Sequence, residues 1–91
     1  TLIVYLSDAA EGHHSRCWEW PMVLIGNLGG KLKSGRYLEW PDHGADGHRH
    51  IGNLYTAFLN AVGDNRETFG QIDPLLGKDV DQRGPCEELL A

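Results

Sequence analysis

Five histidines and one early aspartate are the residues of this 91-residue chain that point most directly to chemistry. The histidines fall into two groups, one at positions 13–14 and one at positions 43–50. Imidazole nitrogen and carboxylate oxygen are the usual protein ligands of zinc and related divalent ions. Open α/β sheets place their ligand sites at the carboxyl ends of strands, and the aspartate follows such a predicted strand. The sequence therefore predicts four candidate metal ligands: Asp8, His13, His14 and His50.

The spacing of the histidines matches no strong zinc motif, so a second interpretation stays open. In it, the histidines are solvated loop residues that only complete local hydrogen bonds. His43 is assigned to this second interpretation, because it lies among proline, glycine and aspartate in the polar stretch 41–50. His48 is left open between the two interpretations.

Three tryptophans form a separate group of candidate binding residues: Trp18, Trp20 and Trp40. The last two each precede a proline at the boundary of a predicted element. Such residues commonly close the rim of a core, with the indole N–H bonded to a carbonyl oxygen. Rim packing is therefore the main interpretation, and stacking on a sugar ring is the alternative.

Composition narrows the classes of partner. The formal net charge is −5 and the eight Lys and Arg residues form no run, so a nucleic-acid partner is not expected. No stretch approaches the roughly 20 apolar residues of a membrane span, and no signal peptide is visible. The two cysteines, Cys17 and Cys86, are expected to be free thiols, with one disulfide as the alternative.

The predicted strands and helix must position these residues. Two apolar runs, residues 1–6 and 22–25, predict strands that are covered on both faces. Residues 36–39 lie beyond two glycine clusters and predict a short hairpin or edge strand.

The clearest predicted element is a helix over residues 51–62. Its apolar residues recur at helical spacing and form one stripe: Ile51, Leu54, Tyr55, Phe58, Leu59 and Val62. Gly63 follows where a residue that ends a helix is expected. Residues 64–91 are predicted as an irregular C-terminal tail, in which Pro85 opens a short helical turn.

These elements predict an α/β fold that is not self-sufficient. Two fully covered strands need layers on both faces, and the chain supplies one helix. We therefore expect a piece of a larger three-layer domain, with residues 1–63 as its C-terminal part and the remaining cover supplied by the rest of a parent chain.

Several stretches of the sequence resemble an exported bacterial family of unknown function that is labelled HXXSHH and related to the alkaline-phosphatase-like superfamily. The matching stretches cover most of residues 1–63: TLIVYLSD at 1–8, EGHH at 11–14, WPMVLIGNLGG at 20–30, KSGRYL at 33–38 and HIGNLYTAFLNAVG at 50–63. The resemblance implies an alkaline-phosphatase-like domain, exported to the periplasm or beyond the cell.

The superfamily hydrolyses phosphate or sulfate esters with bound divalent metal, and the resemblance implies the same class of reaction for the parent protein. Carried over by position, Asp8 is one metal ligand, His13 or His14 the second and His50 the third, with zinc, manganese or calcium as the ion. The superfamily often has adjacent Asp and His ligands, whereas residues 9–12 intervene here, so the choice between His13 and His14 stays open.

The superfamily's nucleophile and remaining acidic ligands lie near the N-terminus of its members. The isolated chain is therefore expected to be inactive, and the expected substrates of the parent are small-molecule or polysaccharide esters. The alternative is a non-catalytic exported protein that keeps the fold to bind cell-surface polysaccharide.

Overall fold

A computed structural model describes residues 1–7, 20–75 and 80–91 of the chain. Strand β1 (Ile3–Leu6) and strand β2 (Met22–Ile25) are followed by helix α1 (Ile51–Ala61) and a 3-10 turn at Glu87–Leu89. The mixed α/β class expected from the sequence agrees with these elements. Within the described ranges, no helix is both long and apolar enough to cross a membrane.

The two strands pair antiparallel and are covered on one face. Ile3 lies opposite Ile25 and Tyr5 lies opposite Val23, so these four side chains share a face of the sheet. That face is exposed, with Ile3 at 55% and Tyr5 at 73%. The opposite face packs on the core through Leu2, Met22 and Leu24. Among the described residues, the helix and the C-terminal segment cover one side of the sheet, and cover of the other side by the rest of a parent chain stays a prediction.

Helix α1 begins and ends close to the predicted positions. It runs from Ile51 to Ala61, and Gly63 follows with a positive φ of 97°, a conformation that glycine adopts without steric cost. Its buried face differs from the predicted stripe. Val62 is 64% exposed, whereas the fully or nearly buried positions are Asn53, Leu54, Thr56 and Ala57.

The C-terminal segment explains why polar residues occupy the buried face of α1. The Asn53 side-chain amide donates to the carbonyl oxygens of Arg83 (3.2 Å) and Gly84 (2.9 Å). In return, the backbone N–H of Cys86 donates to the carbonyl oxygen of Asn53 at 3.0 Å. Cys86 and Leu89 lie in the same core cluster as Leu54. Residues that look irregular in sequence thus complete the packing of the helix.

The edge strand predicted at residues 36–39 does not form. The nearby pairing is made instead by Leu32, which forms an isolated antiparallel bridge with Leu90. The backbone N–H of Lys33 donates to Leu89 at 2.8 Å, and that of Ala91 donates to Lys31 at 3.0 Å. The C-terminus therefore takes the place that a hairpin partner would occupy, which leaves residues 36–39 as extended lining of a cleft. The short helical turn expected after Pro85 is present at residues 87–89.

Candidate functional site

A cleft of about 660 Å³ lies between β2, the segment 32–42 and the first turn of α1. Its volume is within the usual range of small-molecule sites. Aromatic side chains line it from two parts of the chain, namely Trp20 before β2 and Tyr37 and Trp40 in the segment after Leu32. His48 and His50 line the same cleft at the start of the helix. The structure thus brings two of the three tryptophans together with two of the five histidines.

His48 is held by the segment that carries Trp40. Its Nδ1 lies 2.7 Å from the carbonyl oxygen of Pro41. A carbonyl oxygen can only accept, so Nδ1 carries the proton, and in the neutral ring Nε2 has a free lone pair. His48 therefore offers a hydrogen-bond acceptor at Nε2.

His50 is held in the opposite tautomer. It is the N-cap of α1, and its Nδ1 accepts a hydrogen bond from the backbone N–H of Gly52 at 3.0 Å. The Asn53 side chain completes a reciprocal cap by accepting from the backbone N–H of His50 at 2.7 Å. Because Nδ1 accepts, the proton of the neutral ring is on Nε2. His50 therefore offers a hydrogen-bond donor at Nε2.

The surroundings of His50 favour its neutral form. Burial lowers its pKa, and the nearby His48 and His43 rings lower it further, while Asp73 acts in the opposite direction. The neutral ring is the form that can accept from Gly52. Electrostatics and capping geometry thus act together at this position.

His43 packs against His48 rather than into the cleft. The two rings are T-shaped, with centroids 5.4 Å apart. His43 is not among the lining residues of the cleft. His43 is partly buried against His48, and its interpretation as a solvated loop residue that completes local hydrogen bonds stays a prediction.

The metal-ligand prediction meets a conflict at His50. If a metal binds at Nε2, the proton of the ring must be on Nδ1. Two donors, this Nδ1–H and the backbone N–H of Gly52, would then face each other and the hydrogen bond between them would be lost. Binding through Nδ1 would also displace that N–H, so either form of ligation removes the cap. His50 in its present arrangement does not fit the ligand role.

The other three predicted ligands, Asp8, His13 and His14, lie outside the described residues, as do Cys17 and Trp18. Among residues 1–7, 20–75 and 80–91, no group of three or more His, Cys, Asp or Glu side chains is placed to hold a metal. The metal site stays a prediction that depends on the segment after β1.

An ion pair between Arg49, which lines the cleft, and Glu88 lies beside the histidines. Arg49 donates to Oε1 of Glu88 at 2.7 Å, with the two side chains 30% and 40% exposed. The hydrogen bond to Glu88 raises the pKa of Arg49 in spite of burial. Burial alone would raise the pKa of Glu88, but the Arg49 hydrogen bond and charge lower it overall. Both groups are therefore ionised near neutral pH and neutralise each other.

The remaining charges of the cleft are balanced. Among the described lining residues, Lys33 and Arg36 are the other cations, and Glu39 and Asp42 are the anions. Because Glu88 neutralises Arg49, these residues have no excess of positive charge of the kind that binds dianions strongly. It combines aromatic surface with neutral polar groups.

Sequence reasoning did not predict the roles of His48 and Glu88. Trp40-Pro41 was noted only as an element boundary, yet the Pro41 carbonyl sets the tautomer of His48. No pattern of residue types predicts a hydrogen bond between a side chain and a backbone carbonyl seven positions away. Glu88 was expected only as part of a terminal turn, and its pairing with Arg49 spans 39 positions.

Comparison of the chain with models of protein families, with characterised proteins and with solved structures found no match. The resemblance to the HXXSHH family and to alkaline-phosphatase-like enzymes therefore stays a prediction from the residues.

Proposed function

We propose that this chain forms one wall of the substrate cleft in a metal-dependent hydrolase of phosphate or sulfate esters. The observation that carries the proposal is the placement of His48 and His50 on the lining of one cleft, at the first turn of a helix. Two imidazoles that present opposite hydrogen-bonding groups are suited to hold a polar substrate. The sequence resemblance supplies the class of reaction.

In this proposal the cleft residues bind and orient, and do not attack. The nucleophile is supplied by residues outside this chain, in keeping with the resemblance. A divalent ion, zinc foremost, is assigned to Asp8 with His13 or His14, and when bound it polarises the ester oxygen. His50 serves as the N-cap of α1 and as a donor toward the substrate.

The test uses the protein expressed from the complete reading frame that encodes these residues, purified without chelators. Bound metal is measured by mass spectrometry, and hydrolysis is measured with aryl phosphate and aryl sulfate. We expect about one or two divalent ions per chain and metal-dependent release of the phenol. Absence of bound metal together with absence of hydrolysis of both esters would overturn the proposal.

A second candidate is a non-catalytic exported protein that binds cell-surface polysaccharide. The specific observation in its favour is that Trp20 and Trp40, 20 positions apart in the sequence, line the same cleft. This candidate predicts that insoluble polysaccharide retains the protein from solution and that the protein hydrolyses neither ester. Hydrolysis by the metal-loaded protein would exclude it.

A further inference from the structure

The two histidines of the cleft present complementary hydrogen-bonding groups. His48 offers an acceptor at Nε2 because Pro41 fixes its Nδ1 proton, and His50 offers a donor at Nε2 because Gly52 occupies its Nδ1. The two residues are two positions apart in the sequence and lie at the start of the same helix. Both line the cleft that Trp20 and Trp40 also line.

We infer that the cleft binds a saccharide through its hydroxyl groups, with His48 as acceptor and His50 as donor. A sugar hydroxyl both donates and accepts, so the hydroxyls of one saccharide can satisfy both imidazoles. The inference rests on the proposed function in one respect: if the parent protein hydrolyses an ester, the saccharide is the alcohol part of that ester. The binding itself does not require hydrolysis.

The same chemistry disfavours an anion at this position. A phosphate monoester dianion or a sulfate has no proton to give to the lone pair of His48 Nε2, and its negative charge meets a lining whose described charges are balanced. An acceptor that is taken out of water without gaining a donor costs free energy, so such an ion loses affinity. The polar pair therefore selects for the uncharged part of a substrate.

Aromatic surface supplies the second half of the recognition. Indole rings present large, rigid apolar faces with a polar N–H at one edge. Trp20 and Trp40 are both partly exposed at the cleft. The apolar C–H face of a sugar ring suits such surfaces, while its hydroxyls reach the imidazoles.

The test uses two variants of His48, each of which retains a polar group at only one of the two ring-nitrogen positions. Asparagine places its amide near the Nδ1 position, where it can still donate to Pro41, and removes the acceptor at Nε2. Glutamine places an amide oxygen near Nε2 and can restore the acceptor. His48→Asn and His48→Gln are therefore matched variants, and Gln71→Asn is the control for an exposed polar side chain outside the cleft lining.

Binding is measured on the protein from the complete reading frame, by tryptophan fluorescence titration with maltose, cellobiose and lactose as probes. Inorganic phosphate and inorganic sulfate are the comparison probes. We expect at least one disaccharide to saturate and His48→Asn to weaken it about tenfold, the effect of one lost hydrogen bond. His48→Gln is expected to recover most of this loss, and Gln71→Asn to change the Kd by less than about threefold.

Three outcomes would overturn the inference: no saturable binding of any of the disaccharides, tighter binding of phosphate or sulfate at the same cleft, or an unchanged Kd in His48→Asn. Ester hydrolysis in the absence of saccharide binding would leave the proposed function standing and remove only this inference. Saccharide binding by a protein that holds no metal and hydrolyses neither ester would support this inference and overturn the proposed function.

Discussion

The Nδ1–H of His48 donates to the carbonyl oxygen of Pro41 at 2.7 Å. This bond joins the segment that carries Trp40 to the segment that leads into helix α1, and it leaves Nε2 of His48 as an acceptor. Two residues later, the same ring atom of His50 accepts instead of donating. The cleft therefore presents two histidines with opposite hydrogen-bonding roles, each fixed by the backbone.

The N-cap role of His50 is open to direct mutation. His50→Ala removes the acceptor for the N–H of Gly52 and is expected to lower the free energy of unfolding by about 1 kcal/mol. His50→Asn is the matched control, because asparagine is a preferred N-cap residue and should retain most of the stability. Urea unfolding followed by circular dichroism measures both. Equal stability of the alanine variant and the wild type would contradict the capping role.

Folding stability is expected to fall in mild acid through His50. Burial and the neighbouring His48 and His43 lower the pKa of His50 in the folded state, although Asp73 partly opposes them. The unfolded chain then takes up a proton at higher pH than the folded one. The stabilisation is present above the ordinary pKa of histidine and is lost as pH falls through the lowered pKa.

The measurement is Tm as a function of pH between about 8 and 5, the range in which histidine titrates. We expect the Tm of the wild type to fall and that of His50→Asn to fall less over the same range. An identical pH dependence of Tm in the two proteins would show that His50 does not contribute to the loss of stability in mild acid.

Asn53 is expected to be the most sensitive polar residue of the helix. It is fully buried and bonds to Arg83, Gly84 and the backbone N–H of His50. Asn53→Ala removes these three hydrogen bonds, leaves their partly buried partners unpaired and empties a fully buried position, and should cost about 2–3 kcal/mol of unfolding free energy. Asn60→Ala is the control on the same helix, since Asn60 is only partly buried, and it should cost less than half as much. Comparable losses in the two variants would contradict the structure.

Cys86 is expected to be chemically inert in the folded protein. It is a free thiol with 1% exposure, and burial raises its pKa to about 11, opposed in part by Arg49. The thiolate is the reactive form, so alkylation by iodoacetamide at about pH 8 should be slow until the protein is unfolded in urea. Peptide mass mapping separates this site from Cys17. Rapid native labelling of Cys86 would contradict its burial.

The sequence predicted the elements that have a periodic or boundary signal. The apolar runs located both strands, and the helical spacing with Gly63 located α1. It did not predict which face of the helix is buried, because Asn53 is stabilised there by carbonyl oxygens about 30 positions away. Backbone partners of this kind leave no pattern in residue type.

The candidate site was predictable only in part. His50 was placed correctly at the start of the helix, but histidine is not a typical N-cap, so its capping bond was not expected. The acceptor role of His48 depends on the position of one carbonyl group, that of Pro41. Asp8, His13 and His14 lie outside the described residues, and their part in metal binding stays a prediction.

The two roles considered for His50, helix N-cap and metal ligand, predict different metal contents for a variant that lacks the imidazole. In the protein from the complete reading frame, His50→Asn keeps the cap but should not alter the metal-to-protein ratio if His50 is a cap and donor. Asp8→Asn is the comparison variant and should reduce that ratio if Asp8 is a ligand. Loss of metal in His50→Asn would contradict the capping account and favour direct ligation.

The proposed function, in which this chain is part of a metal-dependent ester hydrolase, has one direct test. The most direct measurement is the divalent metal content of the protein from the complete reading frame, purified without chelators, together with its activity on aryl phosphate and aryl sulfate before and after chelation. The account predicts stoichiometric metal and hydrolysis that chelation abolishes and added metal restores. Protein without stoichiometric zinc, manganese or calcium and without activity on either ester would contradict it.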